Sequence, residues 1–416
     1  MWNTAQLRDV AEVASGFGFP RKCQGRLDGE YPFYKVGDMN TPGNETHMTV
    51  ANNTISADAL KKLRARTFPA GTIIFPKIGA AIATNKKRKL TKASVVDNNV
   101  MGLLPKQTID EDYLFYWMWQ FDLRSVANIG PVPSMRKSEV ELVSIPLPPP
   151  SEQRRIVEIL DQANALRKKR AEADKIANRI LPALFYKMFG DPATNPKGWD
   201  VKTLTELSVE GPQYGANASS IDWEEGQPRY IRITDVRDDG TLNEDVRGVD
   251  LDEWGEYRLR EGDLLFARSG ATVGKTYLYQ PSDGLCVYAG YMIRFRLDTE
   301  QVEPEFVFAF THSSLYQSWV EATRRTGGQP NINGREYAAL RLIVPDRALQ
   351  QTFGDRAREL RKRRVARQRS GAHLESLFAV LLHRAFSGDL TARWREAHMK
   401  ELLQEMEQQA VLLGQC

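Results

Sequence analysis

An internal duplication is the strongest constraint that the amino-acid sequence places on the fold. Trp2 and Leu7 recur as Trp199 and Leu204 at one constant offset. The same offset relates Asp38 to Asp235, Gly130 and Pro133 to Gly327 and Pro330, and Glu139, Leu147 and Pro148 to Glu336, Val344 and Pro345. AGTIIFPKIGA (70–80) pairs with EGDLLFARSGA (261–271) at a slightly shorter offset, so loop lengths differ while the order of segments is kept. The sequence therefore predicts two similar halves.

Each copy has the pattern of a mixed α/β domain followed by a long charged helix. Alternating β-branched and aromatic residues predict strands, and an aromatic segment in each copy predicts a helix. We therefore predict an α+β fold: two similar mixed α/β domains separated by two long helices, which form an antiparallel coiled coil within a pseudo-two-fold internal repeat. The predicted boundaries are 1–144 and 196–344 for the domains, 145–195 and 345–390 for the helical segments, and 391–416 for a helical tail.

The first long helix carries the clearest local signals. The run IPLPPP before it excludes helix because proline lacks a backbone donor, and Ser151 is predicted to cap the helix that follows. Glu152 suits the positive end of the helix dipole, and Ile156 and Leu160 begin an apolar stripe. Pro182 is predicted to kink or restart the helix.

Composition narrows the class of protein. A length of 416 residues accommodates at least two domains, and 42% hydrophobic with 26% charged residues is typical of globular proteins. No apolar run reaches the roughly 18 residues of a membrane span, and the amino-terminal MWNTAQLRDV lacks the layout of a signal peptide. Cys23, Cys286 and Cys416 are scattered, and the five histidines form no cluster. We expect a cytoplasmic protein without a metal site.

Two motifs imitate cofactor sites. SGATVGKT (269–276) ends like a phosphate-binding P-loop, but Ser269 stands where the first glycine is required, and the sister copy lacks Gly-Lys-Thr. A nucleotide hydrolase built on this motif stays an alternative, although the motif lacks its first glycine and is not repeated in the sister copy. SGFGFP (15–20) is similar to a methyltransferase glycine loop, but the chain has no Asn-Pro-Pro-aromatic or Asp-Pro-Pro-aromatic motif. No catalytic arrangement recurs in both halves, which favours binding over catalysis.

Candidate DNA-binding residues lie in two segments of each copy and in one basic run. A net charge of +4 only mildly favours an anionic partner. The turn after the central strand displays cationic and hydroxyl groups suited to phosphate, and TGGQPNINGRE (326–336) carries side chains that can read base edges, with Gly327 and Gly328 allowing close approach. The predicted set is Lys77, Lys86, Lys87, Arg88, Lys89, Ser134, Arg136, Lys137, Arg268, Ser269, Thr272, Lys275, Gln329, Asn331, Asn333 and Arg335.

Structural explanations remain open for each of these segments. The glycine turn can be purely structural, the polar residues can lie at a domain rim, and the basic run can be a solvated loop. The run Arg361–Arg364 can face DNA, a partner or water. The aromatic segment DYLFYWMWQF (112–121) could stack on bases, but its sister EFVFAFTHSS (305–314) loses several rings. We therefore predict that it packs in the core.

Taken together, these motifs resemble those of the specificity (S) subunit of type I restriction-modification systems. The resemblance covers about residues 1–390 and rests on IPLPPPSEQRRIVEIL, LLFARSGATVGKT, TGGQPNIN, LFYKMFGDP and LLHRAFSGDL. It implies two target-recognition domains, each reading one half of a bipartite site on double-stranded DNA. The second helix departs from the pattern, since it opens with VPDRALQQTFGDRA rather than with a Pro-rich, Ser-Glu-Gln form.

The resemblance also implies the partners and their chemistry. The chain is expected to be a non-catalytic subunit that binds no cofactor, while S-adenosylmethionine and ATP with Mg are used by two modification (methyltransferase) subunits and by restriction subunits. The predicted partner-binding residues are Ser151, Glu152, Gln153, Arg154, Ile156 and Leu160. The alternative is a two-domain sequence-specific DNA-binding regulator without enzymatic partners.

Overall fold

The chain divides into two compact units, each of which contains one repeat and part of both long helices. A computed structural model of the protein describes residues 2–128, 130–324 and 329–413. Unit 1 comprises Met1–Arg170 with Gly371–Cys416, and unit 2 comprises Ala171–Ser370. The predicted close approach at Gly327 and Gly328 lies outside the described residues.

Within the described residues, the first repeat forms ten strands and is closed by a long helix. Its strands are β1 (Asn3–Gln6), β2 (Ala11–Ser15), β3 (Tyr31–Tyr34), β4 (His47–Met48), β5 (Thr54–Ile55), β6 (Ile73–Pro76), β7 (Arg88–Leu90), β8 (Val95–Val96), β9 (Val100–Pro105) and β10 (Ser144–Leu147). Its helices are α1 (Leu7–Val10), α2 (Ala57–Leu63), α3 (Glu111–Gln120), α4 (Lys137–Glu141) and α5 (Pro150–Asn178). The main sheet has the order β2-β9-β6-β7-β4, beside a small sheet β5-β3-β8.

The second repeat follows a similar plan. Its strands are β11 (Asp200–Thr203), β12 (Gln213–Tyr214), β13 (Ser220–Asp222), β14 (Arg229–Ile231), β15 (Arg247–Val249), β16 (Asp263–Ala267), β17 (Thr276–Leu278), β18 (Cys286–Tyr288), β19 (Met292–Arg296) and β20 (Arg341–Val344). Its helices are α6 (Ile180–Phe189), which precedes the strands, α7 (Pro304–Phe310), α8 (Ser314–Thr323), α9 (Gly334–Ala338) and α10 (Arg347–Ser387). The main sheet has the order β12-β19-β16-β17.

Strand register shows the duplication directly. In the first repeat β1 pairs antiparallel with β10, and Asn3 lies opposite Leu147. In the second repeat β11 pairs antiparallel with β20, and Asp200 lies opposite Val344. Both pairs are related by the offset that relates Trp2 to Trp199. The predicted α+β duplication is therefore confirmed.

The two long helices pair antiparallel within each unit. In unit 1, Ile156 and Leu160 of α5 share a core with Phe378 and Leu382, near the end of α10. In unit 2, Phe185 of α6 packs edge-on against Phe353 near the start of α10, with ring centroids 6.0 Å apart. Early residues of one helix thus meet late residues of the other, as the apolar stripes predict.

A matched pair of buried glutamines fixes each long helix to its own repeat. Gln153 accepts a hydrogen bond from the amide of Asp110 (2.7 Å) and donates one to the carbonyl of Pro148 (2.8 Å). Gln350 does the same with the amide of Glu303 (3.0 Å) and the carbonyl of Pro345 (2.6 Å). Because these bonds are equivalent, they also define which residue of α3 in the first repeat corresponds to which residue of α7 in the second.

The start of α5 differs from the prediction. The helix begins at Pro150, where the missing amide hydrogen costs nothing, so Ser151 lies inside the first turn and is not the cap. The amide of Ser151 instead donates to the carboxylate of Glu405 in the carboxy-terminal tail, at 2.8 Å. The predicted interruption occurs at Arg179, between α5 and α6, and Pro182 lies in the first turn of α6.

The tail forms two helices, α11 (Ala392–Ala397) and α12 (Met399–Leu412), which pack within unit 1. Leu402 is buried, and the side-chain amide of Gln409 approaches the carbonyl of Pro148 at 3.3 Å. Across the described part of the chain, no helix is long and apolar enough to span a membrane. The same residues contain no cluster of three side chains suited to hold a metal ion.

Candidate DNA interface

Two segments that the sequence analysis selected independently come together in unit 2. The turn after β16 carries Arg268 and Ser269, and the segment before α9 carries Asn331. Ser269 and Asn331 form an antiparallel bridge. The amide of Gly270 donates to the carbonyl of Pro330 (2.9 Å), and the amide of Ile332 donates to the carbonyl of Arg268 (2.9 Å). The predicted phosphate-contacting turn and base-reading segment thus form one surface element, which we call the paired loop.

Unit 1 builds the same paired loop from different side chains. Ile78 and Ser134 form the equivalent antiparallel bridge. The amide of Gly79 donates to the carbonyl of Pro133 (2.7 Å), and the amide of Met135 donates to the carbonyl of Lys77 (2.9 Å). The backbone framework is therefore repeated bond for bond, while the side chains that it displays differ.

A glycine explains why both turns close in this way. Gly79 and Gly270 have φ angles of +78° and +73°, in the region that residues with a Cβ rarely adopt. Each glycine follows a buried strand that ends at the turn and carries the first amide of the paired loop. The turn is thus specified locally by sequence, as the shared IGA and SGA motifs indicate.

Several predicted side chains of unit 2 remain available at its paired loop. Gln329 and Arg335 are exposed, and Asn331 is half-buried. The guanidinium of Arg268 lies over the ring of Tyr214, 4.8 Å from its centroid. These four side chains keep their predicted role as candidate DNA contacts.

Other predicted residues of unit 2 have partners within the unit. Ser269 is buried, so the prediction is corrected for it, whereas contact with DNA stays a prediction for Asn333, Lys275 and Thr272. Asn333 caps α9, since its side-chain oxygen accepts hydrogen bonds from the amides of Arg335 (2.9 Å) and Glu336 (3.0 Å). Lys275 pairs with Asp238 at 2.8 Å. Ser269 is buried, and Thr272 donates to its carbonyl oxygen at 3.2 Å.

In unit 1, the paired loop presents cationic rather than amide groups. Arg136 and Lys137 are exposed at the start of α4, where Lys137 pairs loosely with Glu141 at 3.4 Å. Ser134 is half-buried, and its hydroxyl lies 3.2 Å from the side-chain oxygen of Asn128. Lys77 is half-buried and donates to the hydroxyl of Ser15 at 3.1 Å.

The basic run Lys86–Lys89 is partly internal, and the burial of Lys87 and Lys89 contradicts their predicted contact with phosphate. Lys89 is buried and bonds the carboxylates of Glu111 and Asp112, each at 2.7 Å. Lys87 is also buried, and its ammonium group donates to the side-chain oxygen of Asn85 at 2.8 Å and to the carbonyl of Phe121. Burial lowers the pKa of Lys87 to about 7.

The other two members of that run are tied to backbone and side-chain oxygens. Arg88 donates to the carbonyls of Lys87 (2.8 Å) and Met39 (3.0 Å), and burial lowers its pKa. Lys86 donates to the side chain of Asn40. These bonds connect Lys86 and Arg88 to the segment Met39–Asn40 of the same unit.

Two aromatic residues next to the paired loop of unit 2 escaped sequence reasoning. Tyr214 and Tyr291 are 43% and 61% exposed, and with Arg268 they line an open recess of about 550 Å³. In the sequence each tyrosine is next to a glycine, Tyr214 before Gly215 and Tyr291 after Gly290. In the structure a Cβ on Gly215 would lie 2.3 Å from the carbonyl oxygen of Tyr288. Exposed rings beside a guanidinium suit stacking on nucleic-acid bases.

Most of the predicted partner-binding residues lie in the interior of unit 1. Ile156 and Leu160 belong to its core. Gln153 is buried by the hydrogen bonds described above, and Glu152 is fully buried. Arg154 alone of the six is exposed, since Ser151 is half-buried. The prediction is corrected for the buried four, which hold the helix to its own unit.

Two similar halves, each presenting a paired loop on an equivalent framework, define a duplicated α+β binding protein. Residues 1–176 match the model of a family described as the Type I restriction modification DNA specificity domain. The first repeat, together with most of α5, is therefore similar to this family, and the second repeat has a similar fold. The resemblance inferred from the motifs is thereby confirmed.

Individual relatives carry the same description. The specificity subunit of the type I restriction enzyme MjaIX from Methanocaldococcus jannaschii is 27% identical over 261 residues, which cover 56% of this chain and 57% of that protein. The EcoKI specificity subunit from Escherichia coli is 26% identical over 299 residues, which cover 66% and 62%. These two matches thus span less than two thirds of the relatives' own length.

Solved structures show the same fold across nearly the whole chain. The S subunit of a type I restriction-modification system from M. genitalium aligns with a TM-score of 0.57 and 13% identity, covering 93% of this chain and 96% of that one. A chain from a study of complex assembly and conformational transition of the type I R-M system aligns with a TM-score of 0.55 and 16% identity, covering 94% and 98%. At such identities the likeness concerns the fold.

Proposed function

We propose that this chain is the DNA-specificity subunit of a type I restriction-modification complex. The observation that carries the proposal is the duplicated paired loop. Its hydrogen-bonded framework is the same in both units, whereas its exposed side chains are Arg136 and Lys137 in one and Gln329 and Arg335 in the other. A common framework with different readers suits a protein that recognises two different half-sites.

The energetics of DNA recognition favour this arrangement. A well-placed contact to a base edge contributes about 1–3 kcal/mol of discrimination, and a genome offers on the order of a million competing sites or more. Reading several base pairs in each of two half-sites multiplies the ratios by which the correct site is preferred over competing sites. The proposed role requires no catalytic group in this chain, which acts by positioning partners on DNA.

The chemistry then belongs to partner subunits. We propose two modification subunits, which use S-adenosylmethionine to methylate the DNA, and restriction subunits, which use ATP and Mg, all in the cytoplasm. The exposed side of α5, including Arg154 and Glu158, is a candidate docking face, since the opposite side of that helix is occupied by the core of unit 1. A transcriptional regulator would need none of these partners.

Methylation mapping tests the proposal. The chain would be co-expressed with its modification subunits, and the modified motif read by methylation-sensitive long-read sequencing. We expect a split motif with two half-sites. Methylation of an unsplit motif, or methylation that persists when this chain is omitted, would contradict the proposal, as would a promoter-bound chain that captures no methyltransferase.

Variants of the two paired loops assign each half-site. The change Gln329→Ala with Arg335→Ala is expected to relax one half-site, and Arg136→Ala with Lys137→Ala the other, because each pair is exposed on only one unit. A lost base contact corresponds to roughly tenfold to a hundredfold in relative occupancy. Lys61→Ala with Lys62→Ala serves as the control, since both side chains are exposed on α2 and belong to neither paired loop. If the methylated motif is unchanged in both loop variants, the paired loops do not recognise bases.

A further inference from the structure

Unit 2 contains a cavity that is separate from its paired loop. The cavity has a volume of about 530 Å³ and lies among α6, α7, the first half of α10 and the loop around Gly240. Leu181, Phe185, Phe308 and Ala309 contribute apolar walls. Its volume falls within the range of small-molecule sites, roughly 300–1,000 Å³.

The duplication identifies the residues that occupy the equivalent space in unit 1. The matched glutamine bonds place Asp110 and Glu303 at the same position, just before α3 and α7. Counting from these two residues, Tyr116 corresponds to Ala309 and Trp119 corresponds to His312. The offset between the long helices relates Phe378 to Leu181 and Arg167 to Arg364.

In unit 1 these positions form a cluster of stacked rings beneath an arginine. Tyr116 and Trp119 are parallel, with ring centroids 6.0 Å apart, and Trp119 meets Phe378 edge-on at 5.6 Å. The guanidinium of Arg167 lies 4.2 Å from the centroid of Phe378 and 5.7 Å from that of Trp119. The first repeat thus fills this space with its own aromatic side chains.

In unit 2 the large rings are replaced and the space is open. Ala309, His312 and Leu181 line the cavity in place of Tyr116, Trp119 and Phe378. The arginine is retained as Arg364, which pairs with Asp239. The second repeat therefore keeps an arginine at this position but lacks the aromatic rings that the equivalent arginine covers in the first repeat.

The charges that line the cavity favour an anion. Five arginines contribute to its walls, compared with two aspartates: Arg229, Arg361, Arg363, Arg364 and Arg367 against Asp239 and Asp283. Four of these arginines also pair with carboxylates of unit 2: Arg361 with Glu305, Arg363 with Glu359, Arg364 with Asp239 and Arg367 with Asp174. The Nε atom of Arg229 is buried and has no hydrogen-bond partner among the described residues. Guanidinium groups stack on aromatic faces and bind carboxylate, sulfonate or phosphate groups with charge-assisted hydrogen bonds.

We propose that this cavity binds a small aromatic anion, that is, one or two fused or linked rings bearing one acidic group. The rings would occupy the space that Tyr116 and Trp119 fill in unit 1, against Phe185, Phe308 and Ala309. The acidic group would lie among the arginines of α10 and Arg229. The site is separate from the DNA interface, so this proposal does not depend on the proposed function and is tested independently of it.

Fluorescence titration of the full-length chain tests the site. The probe is 8-anilinonaphthalene-1-sulfonate, and its uncharged counterpart N-phenyl-1-naphthylamine, which lacks the sulfonate, is the matched ligand control. We expect saturable binding of one sulfonated probe per chain, about ten- to a hundredfold tighter than the neutral one. Equal affinities would overturn the assignment of an anion.

Exchange of residues between the repeats tests the location. Ala309→Tyr with His312→Trp installs the side chains of unit 1 and is expected to weaken binding by at least about tenfold, because they occupy the ligand's volume. The reverse exchange, Tyr116→Ala with Trp119→His, is expected to raise the number of sites from one to two. Circular dichroism verifies folding, and Ala309→Tyr alone is used if the double variant is unstable. Unchanged binding by a folded filled variant refutes the proposal.

Discussion

The substitution Glu152→Gln tests how the two ends of the chain are held in unit 1. Glu152 is fully buried, and its carboxylate accepts hydrogen bonds from the indole of Trp2 (2.7 Å), the hydroxyl of Thr391 (2.6 Å) and the guanidinium of Arg395 (2.8 Å). Arg395 also lies over the ring of Trp2, 4.8 Å from its centroid. Three donors therefore converge on two oxygens of one carboxylate.

The expected loss follows from this geometry. Removing one partner of a buried ion pair costs about 3–5 kcal/mol, because the other charge is left uncompensated. A glutamine keeps one acceptor oxygen, but its amide group must face one of the three donors. We therefore expect a loss of about 3 kcal/mol in the unfolding free energy of unit 1, at the lower end of that range.

Urea denaturation measures the loss, and hydrogen exchange locates it. The amides of α11 and α12 should lose protection first, because Thr391 and Arg395 connect them to the carboxylate. Glu158→Gln is the matched control: Glu158 is exposed on the same helix and pairs with half-buried Arg155, so its loss should stay below about 1 kcal/mol. A second control combines Arg395→Met with Glu152→Gln. The double variant should lose less unfolding free energy than the sum of the losses of the two single variants, because both changes remove the same ion pair.

One outcome would refute this reasoning. If Glu152→Gln destabilises the chain no more than Glu158→Gln does, and α11 and α12 keep their protection, the buried carboxylate is not what holds the tail.

Two further predictions concern Lys87, which is buried, and Asn333, which caps α9. Burial lowers the pKa of Lys87 to about 7, below the value of the unfolded chain, so the unfolded state binds more protons between pH 7 and about 10 and stability should rise with pH across that window. At about 1.4 kcal/mol per pH unit, the gain in unfolding free energy amounts to a few kcal/mol. Urea midpoints at pH 6.5 and 9 should show this gain in the natural chain and much less of it in Lys87→Met. Lys86→Met, which changes the half-exposed neighbour, is the control. A slope that survives in Lys87→Met would assign it to other groups. Asn333→Ala should lower the unfolding free energy of unit 2 by about 0.5–2 kcal/mol through loss of the α9 cap, measured by calorimetry, whereas Asn331→Ala should not; equal losses would count against the capping role.

The parts of the fold that could be predicted from the sequence are those encoded by repetition and periodicity. The offset that relates Trp2 to Trp199 and Leu147 to Val344 predicted two equivalent halves, and these residues lie in or beside two equivalent strand pairs. The apolar stripes of the long helices predicted that the helices pair, and the two equivalent halves predicted that they pair antiparallel. The chemistry of both paired-loop segments marked them as candidates, but their contact could not be predicted, because it joins residues about 60 positions apart in the chain through the fold of the whole unit.

The fate of individual charged side chains could not be predicted in this way. Lys89 is buried because Glu111 and Asp112 approach it from α3, and the local run contains no sign of them. Glu152 has the pattern of a surface residue at a helix start, yet its partners come from the two ends of the chain. Burial of a charge depends on groups distant in sequence, which a local pattern does not contain.

The carboxylate of Glu152 also bears on how the two repeats are connected. In the second repeat, covalent chain runs from α6 through residues 190–199 to β11, and the indole of Trp199 bonds the carbonyl of Phe189. In the first repeat the corresponding junction, from the end of α10 to β1, is made without a peptide bond: Trp2 and Arg395 meet on Glu152. The carboxylate of Glu152 therefore does by hydrogen bonding what residues 190–199 do covalently in the second repeat: it holds the Trp-led segment beside the end of a long helix.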